Sequence, residues 1–184
     1  MAERRERLVE VEQLVDWRAA VIAGLIAGAV FLLLQMVGRS FVDADTIIIE
    51  GVAEAVVPGG SLWVAPRYIA AMVLGEEVLP PPTSFDALVF LVALLINTVL
   101  AVLFTMVLAA IIHEWEILVG IVVGALFGLA LYAINYYTFS YFFPWFFAVN
   151  SWVDVVAHVL FGAVAGGLYE LLETERFVVE VEYE

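Results

Sequence analysis

Four long apolar runs dominate the pattern of hydrophobic and polar positions along this chain. They cover residues 19–38, 86–112, 118–137 and 152–172. A helix rises about 1.5 Å per residue, so about 20 apolar residues cross the roughly 30 Å hydrocarbon core of a bilayer. The pattern predicts an all-α fold, a polytopic membrane protein built as a bundle of four transmembrane helices. Because only residues 113–116 join the second span to the third, we expect these two helices to be antiparallel neighbours.

The connection between the first two spans contains a shorter apolar stretch. Residues 66–79 include Arg67 and two glutamates and are rather few to cross a bilayer. We interpret them as an interfacial or re-entrant helix that begins at Pro66, because proline suits the first turn of a helix. The prolines at 80–82 would end this helix, and Ser84 or Asp86 would cap the second span. Residues 46–57 are a weaker helical candidate.

The two ends of the chain carry different patterns. Within the N-terminal segment, residues 1–18, one helical face collects Leu8, Val11, Leu14 and Val15. This spacing predicts a short amphipathic surface helix. In the acidic C-terminal tail, residues 173–184, valines and Tyr183 alternate with glutamates, which is typical of a strand. Because one strand is unstable alone in water, the tail either frays or pairs with an edge on another protein.

Glycines recur four residues apart on three of the four predicted spans. They are Gly24, Gly28, Gly120, Gly124, Gly128, Gly162 and Gly166. This GxxxG spacing lets helix backbones approach closely, which matters because lipid supplies no hydrophobic drive for helix association. We therefore expect more than one close-packed helix interface, either within the monomer or between protomers.

Composition and charge narrow the classes of protein. The chain is 65% hydrophobic and 15% charged, whereas soluble domains average about 45–50% and about 25%. These values exclude an ordinary soluble globule and a disordered chain. The absence of cysteine excludes disulfides and thiolate metal sites. With 21 acidic and 7 basic residues, all arginine, the chain is not expected to bind nucleic acid.

The arginines also predict an orientation. Four of them precede the first span and Arg176 follows the last, whereas the long loop after the first span carries only Arg39 and Arg67. Basic residues favour the cytoplasmic side of a membrane. We therefore expect a multi-pass protein of the prokaryotic cytoplasmic (inner) membrane with both termini cytoplasmic.

A few polar residues lie inside the predicted spans, mostly toward their outer ends. They are Gln35, Asn97, Asn135, Asp154 and His158, with Arg67 of the connecting helix within reach. Ionisable groups inside a membrane are costly and are functional candidates by default. The structural alternative is that Asp154 caps the last helix and that His158 hydrogen-bonds to Asp154 or Asn135. No cluster of three or four ligands predicts a metal site.

The segment between the last two spans is unusually aromatic, with 11 aromatic residues among the 21 from 132 to 152. An interfacial belt explains part of this enrichment. The apolar surface that we assign to lipid or to a partner comprises Phe139, Phe142, Phe143, Trp145, Phe146 and Phe147. No cofactor motif is present, but a bound lipid, quinone or carotenoid is a candidate occupant of this face.

Several stretches resemble a known family. They are WRAAVIAGLIAGAVFLLLQM (17–36), PRYIAAMVLG (66–75), VLPPPTSF (78–85), FGLALYAINYY (127–137), FPWF (143–146) and W-x5-H-x2-FGA (152–163). With them the chain resembles small bacterial four-span membrane proteins that often carry the automatic label "sodium:proline symporter". The resemblance covers most of residues 17–170 and implies no established activity. Sodium-coupled transporters of that class have inverted repeats with broken helices, which four uninterrupted spans cannot build within one chain.

The sequence favours a non-catalytic accessory or scaffold subunit of a larger membrane complex. The glycine repeats, the phenylalanine-rich segment and the strand-like tail all suggest contact with a membrane-protein partner or a second copy of the chain. The alternative is a small transporter or channel with an outer-facing polar site around Asp154 and His158. An enzyme is not expected, because no nucleophile elbow, P-loop, dinucleotide fingerprint or HExxH pattern occurs.

Overall fold

The structure, a computed structural model, covers most of the chain. It describes residues 4–10, 15–42, 45–47, 55–57, 60–79, 84–113, 115–149, 151–174 and 177–183. Only the backbone is described for residues 4–10, 45–47, 55–57, 147–149 and 177–183.

Four helices are long and apolar enough to cross a membrane. They are Trp17–Ser40, Ala87–Ile112, Ile117–Phe142 and Trp152–Leu172. Their bounds agree with the four predicted spans to within a few residues, so the all-α, four-span prediction is confirmed. The chain is a multi-pass integral membrane protein.

The helices are numbered in chain order. They are α1 (Trp17–Ser40), α2 (Val64–Leu74), α3 (Ala87–Ile112), α4 (Ile117–Ile134), α5 (Ser140–Phe142) and α6 (Trp152–Leu172). A π-helical turn, Asn135–Phe139, joins α4 to α5, so the third span continues through all three pieces. Short 3-10 turns cover Glu76–Val78 and Pro144–Val149.

Acidic side chains begin two of the spans. One carboxylate oxygen of Asp16 accepts the backbone N–H groups of Arg18 and Ala19 at 3.0 and 3.1 Å. Asp86 accepts the N–H of Val89 at 3.1 Å. Such caps satisfy N–H groups that have no partner within the helix. Asp86 is one of the two residues predicted to cap the second span.

The helix between the first two spans is confirmed, with different ends. It begins at Val64, two residues before Pro66, and ends at Leu74 rather than at residue 79. Gly75 follows with φ of 81°, a conformation that glycine adopts at helix ends without steric cost. The prolines at 80–82 lie outside the described residues.

The N-terminal segment is a strand where the sequence predicts a surface helix. Arg4–Glu10 forms β1, which pairs antiparallel with β4, Phe177–Tyr183. The tail is therefore a strand, as its alternation predicts, but its partner is the other end of the same chain. The register sets Arg5 and Arg7 opposite glutamates, and opposite charges at facing positions stabilise an antiparallel pair. Residues 11–14 lie outside the described residues.

The weaker helical candidate at residues 46–57 is also wrong. Its two ends belong to an antiparallel pair, β2 (Asp45–Ile47) with β3 (Ala55–Val57). Both ends contain β-branched residues, which favour strands over helices. Residues 48–54 lie outside the described residues.

The four spans pack in the order α3, α1, α6, α4, with close contact between successive members. Helices α3 and α4 have few contacts with each other, although only residues 113–116 separate them in the chain. The expectation that these two spans pack as neighbours is therefore wrong over most of their length. The glycine face of α4 packs on α6, while α3 packs on α1.

The predicted glycines lie at these two interfaces, within one chain. A Cβ atom on Gly124 would overlap the carbonyl oxygen of Gly162, and one on Gly128 would overlap that of His158. On α1, a Cβ at Gly24 would lie 2.9 Å from the Cα of Val102, closer than real Cβ atoms approach backbone. Only glycine permits these separations between helix backbones.

We call the end of the bundle that carries both chain termini the proximal end, and the opposite one the distal end. Near the proximal end, Leu108, Ile112 and Tyr169 are completely buried. The Tyr169 hydroxyl donates to Glu173 at 2.7 Å and accepts the backbone N–H of Asp16 at 3.3 Å. These bonds join the start of α1 to the end of α6 and close the proximal half.

Candidate functional site

A cavity of about 160 Å³ lies in the distal half of the bundle. Its walls come from α1, α2, α3, the α4–π segment, α6 and Phe146. Helices α3 and α4, which make few contacts with each other, both contribute to its walls. The space is comparable with a cavity that holds a benzene-sized molecule.

A buried ion pair forms the polar base of this cavity. Arg39, in the last turn of α1, donates through Nη2 to Oδ2 of Asp154 in the first turn of α6 at 2.6 Å. Arg39 is 2% exposed and the Asp154 side chain 18%. Gln35, one turn before Arg39, donates to the other oxygen of Asp154 at 2.9 Å. The pair joins the distal ends of α1 and α6 and carries no net charge.

Asp154 also caps its own helix, as the structural alternative predicts. Its Oδ2 accepts the Ser151 backbone N–H at 2.8 Å and the Ser151 hydroxyl at 3.1 Å, within a capping box. Both carboxylate oxygens therefore already accept hydrogen bonds from the protein. This carboxylate holds the site together and has little capacity left for a further donor.

His158 joins the third span to the last one. Its Nδ1 lies 2.7 Å from the backbone carbonyl oxygen of Asp154, and its Nε2 lies 3.0 Å from Nδ2 of Asn135. A carbonyl oxygen only accepts, so Nδ1 carries the proton and, in the neutral ring, Nε2 accepts from the Asn135 amide. Both nitrogens of the neutral imidazole are satisfied. The contacts of His158 therefore agree with the structural alternative, in which this side chain hydrogen-bonds to Asp154 or Asn135.

The cavity brings together five of the six predicted polar residues. Besides the four named above, Asn97 lines the cavity while its Nδ2 donates to the Gly28 carbonyl oxygen at 2.9 Å, which joins α3 to α1. Arg67 does not line the cavity. Its guanidinium donates to the carbonyl oxygens of Val78 and Ser84 at 3.5 and 3.4 Å. The expectation that Arg67 reaches the other polar groups is wrong, because it binds the connection after α2.

The cation at the site is Arg39, which sequence reasoning assigned to the external loop. Arg39 follows Gln35 by four residues and so shares its helix face. The same spacing separates Asp154 from His158. The sequence therefore contained a signal for this site. It consists of two polar pairs at helical spacing, each near a helix end that an antiparallel bundle brings close to the other.

The aromatic segment divides between the cavity and the surface. Phe139 and Phe146 line the cavity, whereas Phe142 is 67% exposed. Phe143 stacks on Phe139 with ring centroids 6.1 Å apart. Trp145 packs with Phe146 against α2. The side chain of Phe147 lies outside the described part of the structure. Part of the predicted lipid or partner face is therefore used inside the chain.

The π-helical turn places aromatic and polar groups side by side. Three of its five residues, Asn135, Tyr136 and Phe139, line the cavity. Single π turns inside α-helices occur frequently at functional sites, since the wider turn shifts the side chains that follow it. Here the turn lies beside the Asn135–His158 hydrogen bond.

Tyr68 of α2 also lines the cavity. Its ring packs edge-to-face on Phe146 with centroids 6.4 Å apart. Burial raises the pKa of the Tyr68 phenol, and the nearby Arg39 guanidinium offsets only part of that increase. The phenol therefore stays neutral at physiological pH. Its hydroxyl makes no hydrogen bond with a described residue.

The polar side chains of the site are joined to one another by an ion pair and hydrogen bonds. Its ionic groups are paired and its histidine is satisfied. Among the described residues, no group of three or more His, Asp or Glu is placed to hold a metal ion.

The chain matches no family model, no curated protein and no solved structure. The resemblance to small bacterial four-span proteins therefore stays a prediction, and the functional argument depends on the geometry of the cavity.

Proposed function

We propose that this membrane protein binds a small, largely apolar molecule in the distal cavity, with the polar end of that molecule toward the Arg39–Asp154 pair. Binding of this kind is the step that the transporter hypothesis requires. The observation that carries the proposal is the convergence of five predicted polar residues on one cavity whose remaining walls are mostly aromatic. Ligand pockets typically combine apolar walls with a few placed polar groups.

The divergence of α3 from α4 supports entry from the bilayer. Leu100 and Phe104 of α3 line the cavity together with Tyr136 and Phe139 of the third span, while α3 and α4 make few contacts with each other. A lipid, a quinone or a carotenoid would place one end in the cavity and leave its chain in the bilayer. An amphiphile already dissolved in the membrane needs no water-filled path to reach such a site.

The proximal half favours binding over free conduction. Below the cavity, Leu108, Ile112 and Tyr169 are completely buried, and the glycine contacts hold α4 against α6. Passage across the membrane would require these helices to separate. A transport cycle would therefore include a conformational step after the molecule binds.

The proposal is tested by filling the cavity. Leu100 lines it, whereas Leu103 on the same helix is 53% exposed on the outer surface. We expect gently extracted wild-type protein to retain a small molecule in native mass spectrometry, Leu100→Trp to lose it, and Leu103→Trp to keep it. Occupancy that Leu100→Trp leaves unchanged, or no bound molecule in the wild type, would contradict the proposal.

The accessory-subunit role is the second candidate, and exposed aromatic side chains at the distal end favour it. Tyr141 and Phe142 are 81% and 67% exposed, a surface that suits contact with another membrane protein. The other two features that suggested a partner, the glycine repeats and the strand-like tail, make contacts within the chain. The glycines join its own helices, and the tail pairs with β1. Recovery of only the free monomer after gentle extraction from native membranes would remove this candidate.

A further inference from the structure

We propose that the ligand of the distal cavity is an uncharged amphiphile that carries a hydroxyl group at its polar end. This inference rests on the proposed function and adds the chemical class of the ligand. It follows from which polar groups of the cavity are already satisfied and which are not.

The ionic groups of the cavity leave no unbalanced charge for an ionic ligand. Arg39 and Asp154 neutralise each other at 2.6 Å. Both oxygens of Asp154 accept bonds from Gln35, Arg39 and Ser151. A charged headgroup would lose its hydration on entry and gain no free counter-charge. A neutral headgroup avoids that cost.

One acceptor on a residue that lines the cavity, Asn135 of the third span, has no hydrogen-bond partner among the described residues. Because Nδ1 of His158 donates to a carbonyl oxygen, Nε2 of the neutral ring accepts, and Asn135 presents Nδ2 to it. That orientation turns Oδ1 of Asn135 away from the histidine. This oxygen is buried and has no hydrogen-bond partner among the described residues. A buried acceptor without a donor is unfavourable, so a ligand that supplies an O–H is favoured there.

A further polar group belongs to α2. Tyr68 lines the same cavity, and its hydroxyl makes no hydrogen bond with a described residue. It can donate to a ligand oxygen. A hydroxyl suits both kinds of group, because it donates through its proton and accepts through its lone pairs. An ether or a ketone matches only the Tyr68 side.

The walls select the rest of the molecule. Phe31, Phe104, Phe139, Phe146 and Phe161 line the cavity together with three tyrosines. Such walls favour a hydrocarbon or ring system over a polar chain. The cavity thus suits a ligand with an apolar body and a single neutral polar group.

The test compares decyl amphiphiles that differ only in their polar end: 1-decanol, decyl methyl ether, decane-1-sulfonate and decyltrimethylammonium. Apparent dissociation constants are measured by native mass spectrometry of the full chain released from nanodiscs. We expect one 1-decanol per chain, bound about tenfold more tightly than either charged compound and several-fold more tightly than the ether.

Two matched substitutions separate a ligand contact from a structural role. Tyr68→Phe removes only the hydroxyl and should weaken 1-decanol binding about fivefold while the melting temperature of the unliganded protein stays the same. Tyr141→Phe, at a tyrosine that is 81% exposed, should change neither quantity.

The outcomes distinguish this inference from the proposed function. If a charged compound or the ether binds as tightly as the alcohol, and Leu100→Trp abolishes that binding, the ligand class is wrong while the cavity remains a binding site. Binding of 1-decanol that Tyr68→Phe leaves unchanged also overturns the class. If no compound shows binding that Leu100→Trp removes, the proposed function itself fails.

Discussion

Arg39 shows how strongly a single residue of this protein depends on its surroundings. An arginine side chain with 2% of its surface exposed is stable inside a membrane protein only if a counter-charge accompanies it. Asp154 supplies that charge from the next helix, and Gln35 fixes the second oxygen. Each of the three side chains therefore holds the others in place.

We expect Arg39→Leu to lower the free energy of unfolding by about 3 kcal/mol, because the Asp154 carboxylate would remain largely buried without its partner. Thermal unfolding in detergent measures the change. Arg18→Leu, at an exposed arginine on the same helix, serves as the control and should have little effect. The double variant Arg39→Leu/Asp154→Asn should be more stable than Arg39→Leu alone. Equal stability of Arg39→Leu and wild type would show that the pair contributes nothing.

The residues of the site were only partly predictable from the sequence. Intramembrane polarity identified Asp154, His158 and Asn135, since each lies within an apolar run. It misplaced Arg39 and Arg67, because both lie near helix ends where hydropathy does not separate a buried arginine from one in a loop. Which arginine reaches the carboxylate depends on how α1 and α2 pack on the bundle.

At the scale of elements, glycine decides which helices touch. Gly120, Gly124 and Gly128 on α4 meet Gly162 and Gly166 on α6 so closely that no Cβ atom fits at these positions. Lipid tails are as apolar as the helices, so close backbone packing provides much of the attraction between spans. Without these glycines, the third span would lose its main contact with the bundle.

Gly124→Ala should separate α4 from α6 and destabilise the protein by about 2 kcal/mol, since the added methyl group meets the backbone of Gly162. The matched control is Gly167→Ala on α6, where the new Cβ meets only the side chain of Ile121. Melting temperatures in the same detergent provide the comparison. Equal shifts for the two variants would contradict the assignment of Gly124 to a backbone contact.

We expect the facing charges to stabilise the strand pair at the chain ends. Arg7 faces Glu180 in the β1–β4 register, so Arg7→Glu should place like charges opposite each other and weaken the pair by about 0.5 kcal/mol. The backbone amides of β1 should exchange hydrogen faster in Arg7→Glu than in the wild type. The charge swap Arg7→Glu/Glu180→Arg should restore protection, and its failure to do so would show that the charges do not set this pairing.

Two elements were misassigned from the sequence for the same physical reason. The spacing of leucines and valines in residues 1–18 fits one face of a helix. The strand conformation of residues 4–10 is stabilised only by pairing with β4. Residues 45–47 and 55–57 likewise gain strand structure from each other. Pairing between distant segments contributes free energy that local periodicity does not contain.

For the whole molecule, the cavity is a consequence of helix order. Because α4 packs on α6 while α3 packs on α1, the helices joined by residues 113–116 diverge toward the distal end. Helix α2 and Phe146 cover part of the resulting gap. The site thus exists only in the assembled bundle, and no single span contains it.

The orientation of the molecule in the membrane is open to a direct test. The β1–β4 pairing sets both chain ends at the same end of the bundle, and the arginines before α1 predict that this end is cytoplasmic. Reporters fused before Met1 and after Glu184 should both be active in the cytoplasm, whereas one inserted near residue 45 should be active outside. A periplasmic signal from either terminal fusion would reverse the assigned sides of the cavity.

The sequence alone determined the number of spans, their bounds to within a few residues, and a choice of Ser84 or Asp86 as the cap of the second span. Each depends on residues adjacent in the chain: hydropathy over about 20 positions, or a polar residue before an apolar run. Only the tertiary structure decided that α3 and α4 diverge, that Arg39 rather than Arg67 meets Asp154, and that the chain ends pair. Those outcomes depend on contacts between segments far apart in sequence. Interhelical packing and the requirement to neutralise a buried charge select them.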